Sequence, residues 1–221
     1  MRLRWLVRLL MPYGKVLDQA DAQPRAPLTY PAQITLGGTT LIIRLLEPGD
    51  RSAVLAFARS LPAHDLLFLR RDITRPEQVD LWLRDVAEGL LSTVVAVTGG
   101  EIVGYATVAS EGLTWTRHVR EIRVLVAPSM RGKRLGRLLI EQAFAIARQQ
   151  GVKKMVAQMT TDQRAAIAVF QSMGFEREAR LHKQVMDREG ALHDLQIMGL
   201  EVDAFQAKLD VAIANAERGF S

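Results

Sequence analysis

Glu121–Leu139 reads E-I-R-V-L-V-A-P-S-M-R-G-K-R-L-G-R-L-L. An apolar run of strand type stops at Ala127-Pro128. A loop of Gly and basic residues follows, and a helix opens near Leu135. The first N–H groups of a helix have no acceptor inside it, and the helix dipole adds partial positive charge at the same end. Strand, Gly/basic turn and helix start in that order build an anion cradle. Arg131, Lys133, Arg134 and Arg137 put four cations within seven residues. The stretch predicts a site for a phosphorylated cofactor, with the rest of the chain placing a substrate beside it.

Upstream, Gln33–Leu36 and Thr39–Leu46 flank Gly37-Gly38, a hairpin signal. Asp50 reads as the N-cap of a helix reaching Leu61. His64–Arg71 reads as helix or turn. Thr74 and Glu77 form a capping-box pattern, with Pro76 in the first turn of a helix running from Arg75 to Leu90. Ser92–Thr98 and Glu101–Ser110 pair around Gly99-Gly100, and His118–Val126 leads into the loop. Downstream come a helix Leu135–Gln150 stopped by Gly151, a strand Lys153–Met159, and a helix Gln163–Met173 capped by Asp162 and ended by Gly174. Strands Phe175–Met186 and Ala191–Leu200 follow. Val202, Phe205, Leu209 and Ile213 mark a last amphipathic helix. The order β-β-α-α-β-β-β-α-β-α-β-β-α predicts a mixed α/β domain around one sheet. Residues 1–32 read as a basic amphipathic segment and a Pro-rich linker, 33–200 as the domain, and 201–221 as the C-terminal helix.

Composition narrows the function. The 221 residues suit one domain with a full core. The absence of cysteine excludes disulfides, thiolate nucleophiles and Cys-ligated metals, and suits a cytoplasmic protein. The four histidines (64, 118, 182 and 193) have no metal-ligand spacing, so no metal is expected. The net charge is +5, but Arg2, Arg4, Arg8, Lys15 and Arg25 against Asp18 and Asp21 place +3 of it in the first 30 residues. A nucleic-acid domain would carry a basic face across its body, so no nucleic acid is expected as a partner. No apolar run approaches the ~20 residues of a membrane span. Residues 1–13 lack a signal-peptide cleavage site. They read either as a weak membrane- or partner-binding amphipathic helix, or as a helix packed on its own domain or a tail disordered in solution. The N- and C-terminal segments are each candidates for a homodimer contact.

Two motifs resemble the GNAT superfamily of acyl-CoA-dependent N-acetyltransferases. The family's cofactor motif, [Q/R]-x-x-G-x-[G/A] between a strand and a helix, is matched by Arg131-Gly132-Lys133-Arg134-Leu135-Gly136. The family's A-I-x-x-[Y/F]-x-x-x-G-F is matched by Ala166–Phe175. Both occur in the right β/α succession, and the resemblance covers roughly residues 39–200. It implies a central, mostly antiparallel, twisted sheet of six to seven strands flanked by helices. It also implies acetyl-CoA as the acyl donor and direct attack by a primary amine in a ternary complex. The amine could be a small molecule, an amino acid or a protein amine.

The resemblance assigns the cofactor to Arg131, Gly132, Lys133, Arg134, Leu135, Gly136 and Phe170. It gives the thioester oxygen a backbone N–H donor at Leu125 or Val126. Glu121, at the start of the same strand, is the expected general base, with an ion pair to Arg123 or Arg120 as the alternative reading. His64 and Asp65 fall in the helical region that lines the acceptor pocket in the family. His118, Tyr105, Trp115 and Asp162 are weaker candidates near the site. Two positions depart from the family pattern. Arg134 stands where Gly is usual and is expected to keep ordinary helical or extended dihedrals. Phe170 stands where many members have a Tyr acid. A non-catalytic acyl-CoA-binding module is the competing reading, and Phe170 is its best support.

Overall fold

The computed structural model describes residues 28–66, 69–110, 114–207 and 210–211. The readings of residues 1–13, of most of the linker, and of Leu209 and Ile213 lie outside them.

The strands are β1 (Ala32–Leu36), β2 (Thr39–Leu45), β3 (Leu91–Thr98), β4 (Glu101–Ala109), β5 (Val119–Val126), β6 (Lys154–Thr160), β7 (Glu176–Met186) and β8 (Leu192–Glu201). All eight join one sheet in the order β1-β2-β3-β4-β5-β6-β8-β7. The expected six to seven strands is therefore too few. The Gly37-Gly38 turn folds β1 back onto β2 in full register, so the hairpin arm outside the family resemblance extends the sheet. Among the described strands only β5 and β6 run parallel.

The helices are α1 (Arg51–Ser60), α2 (Ala63–Leu66), α3 (Pro76–Ala87), α4 (Leu135–Gln149) and α5 (Arg164–Ser172). β3 and β4 are apolar on both faces because both are covered. On one face Tyr105 of β4 packs edge-on against Phe57 of α1 and tilted against Trp82 of α3. Its neighbour Gly104 points the other way, toward α4. A Cβ there would stand 3.2 and 3.3 Å from Leu139 and Leu135, so the missing side chain lets α4 settle on the sheet. A last helix begins at residue 202, where Phe205 meets Phe144 of α4 edge-to-face at 5.3 Å. No described helix is long and apolar enough to cross a membrane.

Three expected caps have other uses. The Asp50 carboxylate takes both Nη groups of Arg44 at 2.7 Å and the Glu47 N–H at 2.8 Å, and α1 has no side-chain cap. Thr74 bonds back to Asp72, leaving Arg75 at the α3 N-cap with Pro76 behind it. Asp162 pairs with His64, and α5 begins after Gln163. In each case a charged or hydroxyl neighbour outcompetes the helix N–H groups.

The Arg44 fork, its main cause, holds the Asp50 carboxyl below the usual range. A lowered folded-state pKa adds stability above the unfolded value of about 3.9 and loses it as pH falls through the folded value. Asp50→Asn is therefore expected to cost about 2 kcal/mol at pH 7. In urea titrations the gap to the native chain should shrink below about pH 4.

Candidate active site

β5 and β6 pair over only three positions, Val119↔Lys154, Arg120↔Met155 and Glu121↔Val156. Beyond Glu121 the strands part. β5 stays on β4 as far as Val126, while β6 stays on β8 as far as Thr160. The sheet therefore opens into a gap whose closed end is Glu121. Its open end is the turn Ala127–Arg134 that leads into α4.

The ladder alternation fixes which groups face this gap. Ala127 N–H donates to Val103 C=O at 2.9 Å, so the odd residues of β5 bond toward β4. Leu125 therefore spends its N–H on the sheet. Val126, the other of the two expected donors, directs its N–H and C=O into the gap. The Val126 carbonyl accepts from Arg131 Nε at 3.3 Å.

The turn at the open end retains room. Gly132 has φ 72°, and a Cβ on it would meet nothing within 4 Å. Leu138 N–H makes the first bond of α4, to Arg134 C=O at 3.2 Å. The amides of Leu135, Gly136 and Arg137 thus precede the ladder, as a helix start requires. The side chains of the cradle's cations are turned to other work. Arg131 pairs with Asp65, Lys133 lies along Gly37 with Nζ 3.9 Å from Met130 Sδ, and Arg137 donates to Glu141 at 3.0 Å. Anion capacity here rests on backbone N–H groups and nearby positive charge.

Arg134 corrects an expectation. It sits at the N-cap of α4 with φ 67° and ψ 9°, the left-handed region, and not in ordinary helical or extended backbone. The turn demands the geometry that Gly would adopt freely, and the helix start imposes it on Arg at a cost of about 1–2 kcal/mol. Arg134→Gly is expected to stabilise the fold by about 0.5–1 kcal/mol after the extra chain entropy of Gly, read as a higher Tm.

Glu121 is buried, with a side chain only 4% exposed. Its Oε1 accepts from Arg123 Nη at 2.7 Å and Nε at 3.1 Å. Its Oε2 lies 2.8 Å from an Arg70 Nη, an ion-pair contact without hydrogen-bond alignment, so this oxygen keeps acceptor capacity. Glu121 pairs with Val156 on β6, which pairs with Gly199 on β8, and alternation places Leu195 and His193, farther along β8, on the same sheet face. His193 Nε2 and Asp187 share a hydrogen bond of 2.7 Å, and the carboxylate raises the imidazole above its ordinary pKa. A cavity of about 270 Å³ lies between Leu66, Leu69 and Asp72 on one side and Met186, Asp187 and Arg188 on the other.

Other sequence candidates fall elsewhere. Tyr105 is in the core, where burial raises its hydroxyl pKa. His118 and Trp115 precede β5, at the end opposite the cradle, and Trp115 is 79% exposed. Phe170 is buried and edge-on to Phe175 at 5.0 Å. Sequence reasoning missed Arg70, Asp187 and His193. Only the basic pair Arg70-Arg71 beside an apolar run offered a signal.

Residues 57–175 match the acetyltransferase (GNAT) family. The chain belongs to the GNAT family. The match takes in the gap, the cradle and α5, and makes the chain an acyl-CoA-dependent N-acyltransferase. This GNAT chain is 23% identical over 163 residues to a putative phosphinothricin acetyltransferase of Bacillus subtilis, covering 73% of this chain and 99% of that one. It is 32% identical over 120 residues to an L-methionine sulfoximine/L-methionine sulfone acetyltransferase of Pseudomonas aeruginosa, covering 52% and 67%. The fold matches a putative acetyltransferase of Salmonella typhimurium solved with acetyl-CoA, with a TM-score of 0.65, 24% identity, and 73% and 94% of the two chains covered. The GNAT donor fits what this chain presents. The room above Gly132, the leading amides of α4 and the Val126 N–H suit phosphates at one end of the gap and a carbonyl inside it.

Proposed function

We propose that this protein transfers the acetyl group of acetyl-CoA to the amine of an amino-acid-like small molecule. The observation that carries the reading is the parting of β5 from β6 immediately after Glu121, with the anion cradle at the far end of the same gap. A bound thioester supplies an activated acyl carbon and a leaving thiolate. The chain's own groups do the rest. The cradle amides hold the anionic end. Val126 N–H donates to the oxygen on which negative charge grows. Glu121 Oε2 accepts a proton from the incoming ammonium, directly or through one water.

Two features favour an acceptor of amino-acid type. Arg70 and Arg123 flank Glu121 at the closed end of the gap, and guanidinium forks there suit an acceptor bearing its own carboxylate. The open pocket lined by Leu66, Leu69 and Met186 together with Asp72, Asp187 and Arg188 offers its side chain both apolar and charged contacts. The relatives named for phosphinothricin and for methionine sulfone point to the same class.

The test is to mix the chain with acetyl-CoA and a panel of L-amino acids, L-methionine sulfone, polyamines and peptide N-termini, and to follow free thiol. Thiol release with the amino-acid arm supports the reading. Tight acetyl-CoA binding with no turnover on any amine would replace it with a non-catalytic binding module. That second reading draws on Phe170, which has no proton to give a departing thiolate.

A further inference from the structure

α2 is four residues long and none of them is fully buried, though Leu66 packs partly buried against the core. Side-chain ties to both sides of the gap add to that anchor. Asp65 pairs with Arg131 on the cradle turn, and His64 Nε2 lies 3.2 Å from Asp162 Oδ2 in the loop after β6. Arg131 belongs to the β5 side of the gap and Asp162 to the β6 side. α2 therefore spans the opening, leading into the cavity wall at Leu66. The Arg131 guanidinium makes a second contact from the same fork, its Nε donating to the Val126 carbonyl. That carbonyl lost its strand partner when β5 left β6, and a polar backbone group there needs one.

We propose that Asp65 is a positioning residue. Through Arg131 it couples α2, the acceptor-side wall, to the cradle turn and to the strand end that carries the Val126 N–H. The pair is partly exposed, with side chains 48% and 17% accessible, and such pairs contribute little to overall stability. Its effect is on geometry. A donor seated in the cradle restrains Arg131, Arg131 restrains Asp65, and the wall that receives the amine is set at the same time. Asn at position 65 keeps the shape and loses the charge that draws the guanidinium in. The proposal rests on acyl transfer taking place at this gap.

The test uses the full chain with acetyl-CoA as the probe. In the native chain, acetyl-CoA is expected to slow amide hydrogen exchange over residues 63–66 by about fivefold. In Asp65→Asn the slowing should vanish while acetyl-CoA affinity stays within about twofold, and Asp65→Glu should restore it. With an amine that the native chain acetylates, Asp65→Asn should lower kcat about tenfold with little change in the KM for acetyl-CoA. Asp65→Glu should recover most of that loss. Slowing that persists in Asp65→Asn overturns the proposal. So does a native chain that binds acetyl-CoA without slowing over 63–66, or a parallel loss of affinity and kcat. A native chain that fails to bind acetyl-CoA overturns this and the acetyl-transfer reading together. One that shows the coupling but acetylates nothing overturns only the catalytic reading.

Discussion

Replacing Val126 with proline is expected to lower kcat by about 10²- to 10³-fold, the loss that follows removal of one oxyanion donor. The position allows this experiment because of the ladder parity. Val126 N–H faces the gap, so proline there removes no bond between β4 and β5. The same change at Leu125 would delete a bond to Tyr105 inside the sheet and should unfold the chain before it informs on chemistry. An amide-to-ester replacement at Val126 removes the N–H without the ring and serves as the control for backbone strain. Both variants should bind acetyl-CoA nearly as well as the native chain, since the cradle amides are untouched. Single-turnover thiol release, measured alongside calorimetric binding, separates the two effects. Unchanged turnover in the ester variant would remove Val126 from the mechanism.

Glu121→Gln should reduce kcat by about 10²-fold or more, the scale of a lost general base. It should also cost stability. Gln can still accept from Arg123, but its amide N–H then opposes the Arg70 guanidinium inside a buried site. Breaking one partner of a buried ion pair costs about 3 kcal/mol, discounted here because Arg70 is half exposed. Activity must therefore be read well below the variant's Tm. Arg70→Ala is the companion experiment, since it frees Glu121 Oε2 without removing the carboxylate. If Glu121 is the base, Arg70→Ala should keep far more of kcat than Glu121→Gln, while raising the KM for an acceptor that carries a carboxylate. Equal losses in the two variants would make the carboxylate a clamp for the arginines and nothing more.

The local patterns in the sequence were legible because their physics is local. A Gly/basic turn between an apolar run and a helix start can be read within 19 residues, and so can the Gly151 and Gly174 helix stops. What escaped involves partners far apart in the chain. Arg70 is 51 positions from Glu121, Arg131 is 66 from Asp65, and His64 is 98 from Asp162. Asp162 reads as a helix cap for anyone who cannot see His64. Arg134 departs from its expected backbone for a different reason. Average preferences keep Arg out of left-handed backbone, yet a turn fixed at both ends by β5 and α4 leaves that residue no other conformation. The parting of β5 from β6 has no local signature, since both strands read as ordinary apolar runs. Only the ladder shows where they separate.

A sheet that opens in its middle has four margins where an ordinary one has two. The outer margin on β7 carries Arg177, Arg180, His182 and Lys183, charges that discourage docking by another strand. The inner margins on Val124–Val126 and Ala157–Met159 carry no such charge. Their protection against self-association falls to what covers the opening. α2, tied across the opening by Asp65–Arg131 and His64–Asp162, is part of that cover, and removing both ties is expected to add concentration-dependent aggregation of a chain that is still folded.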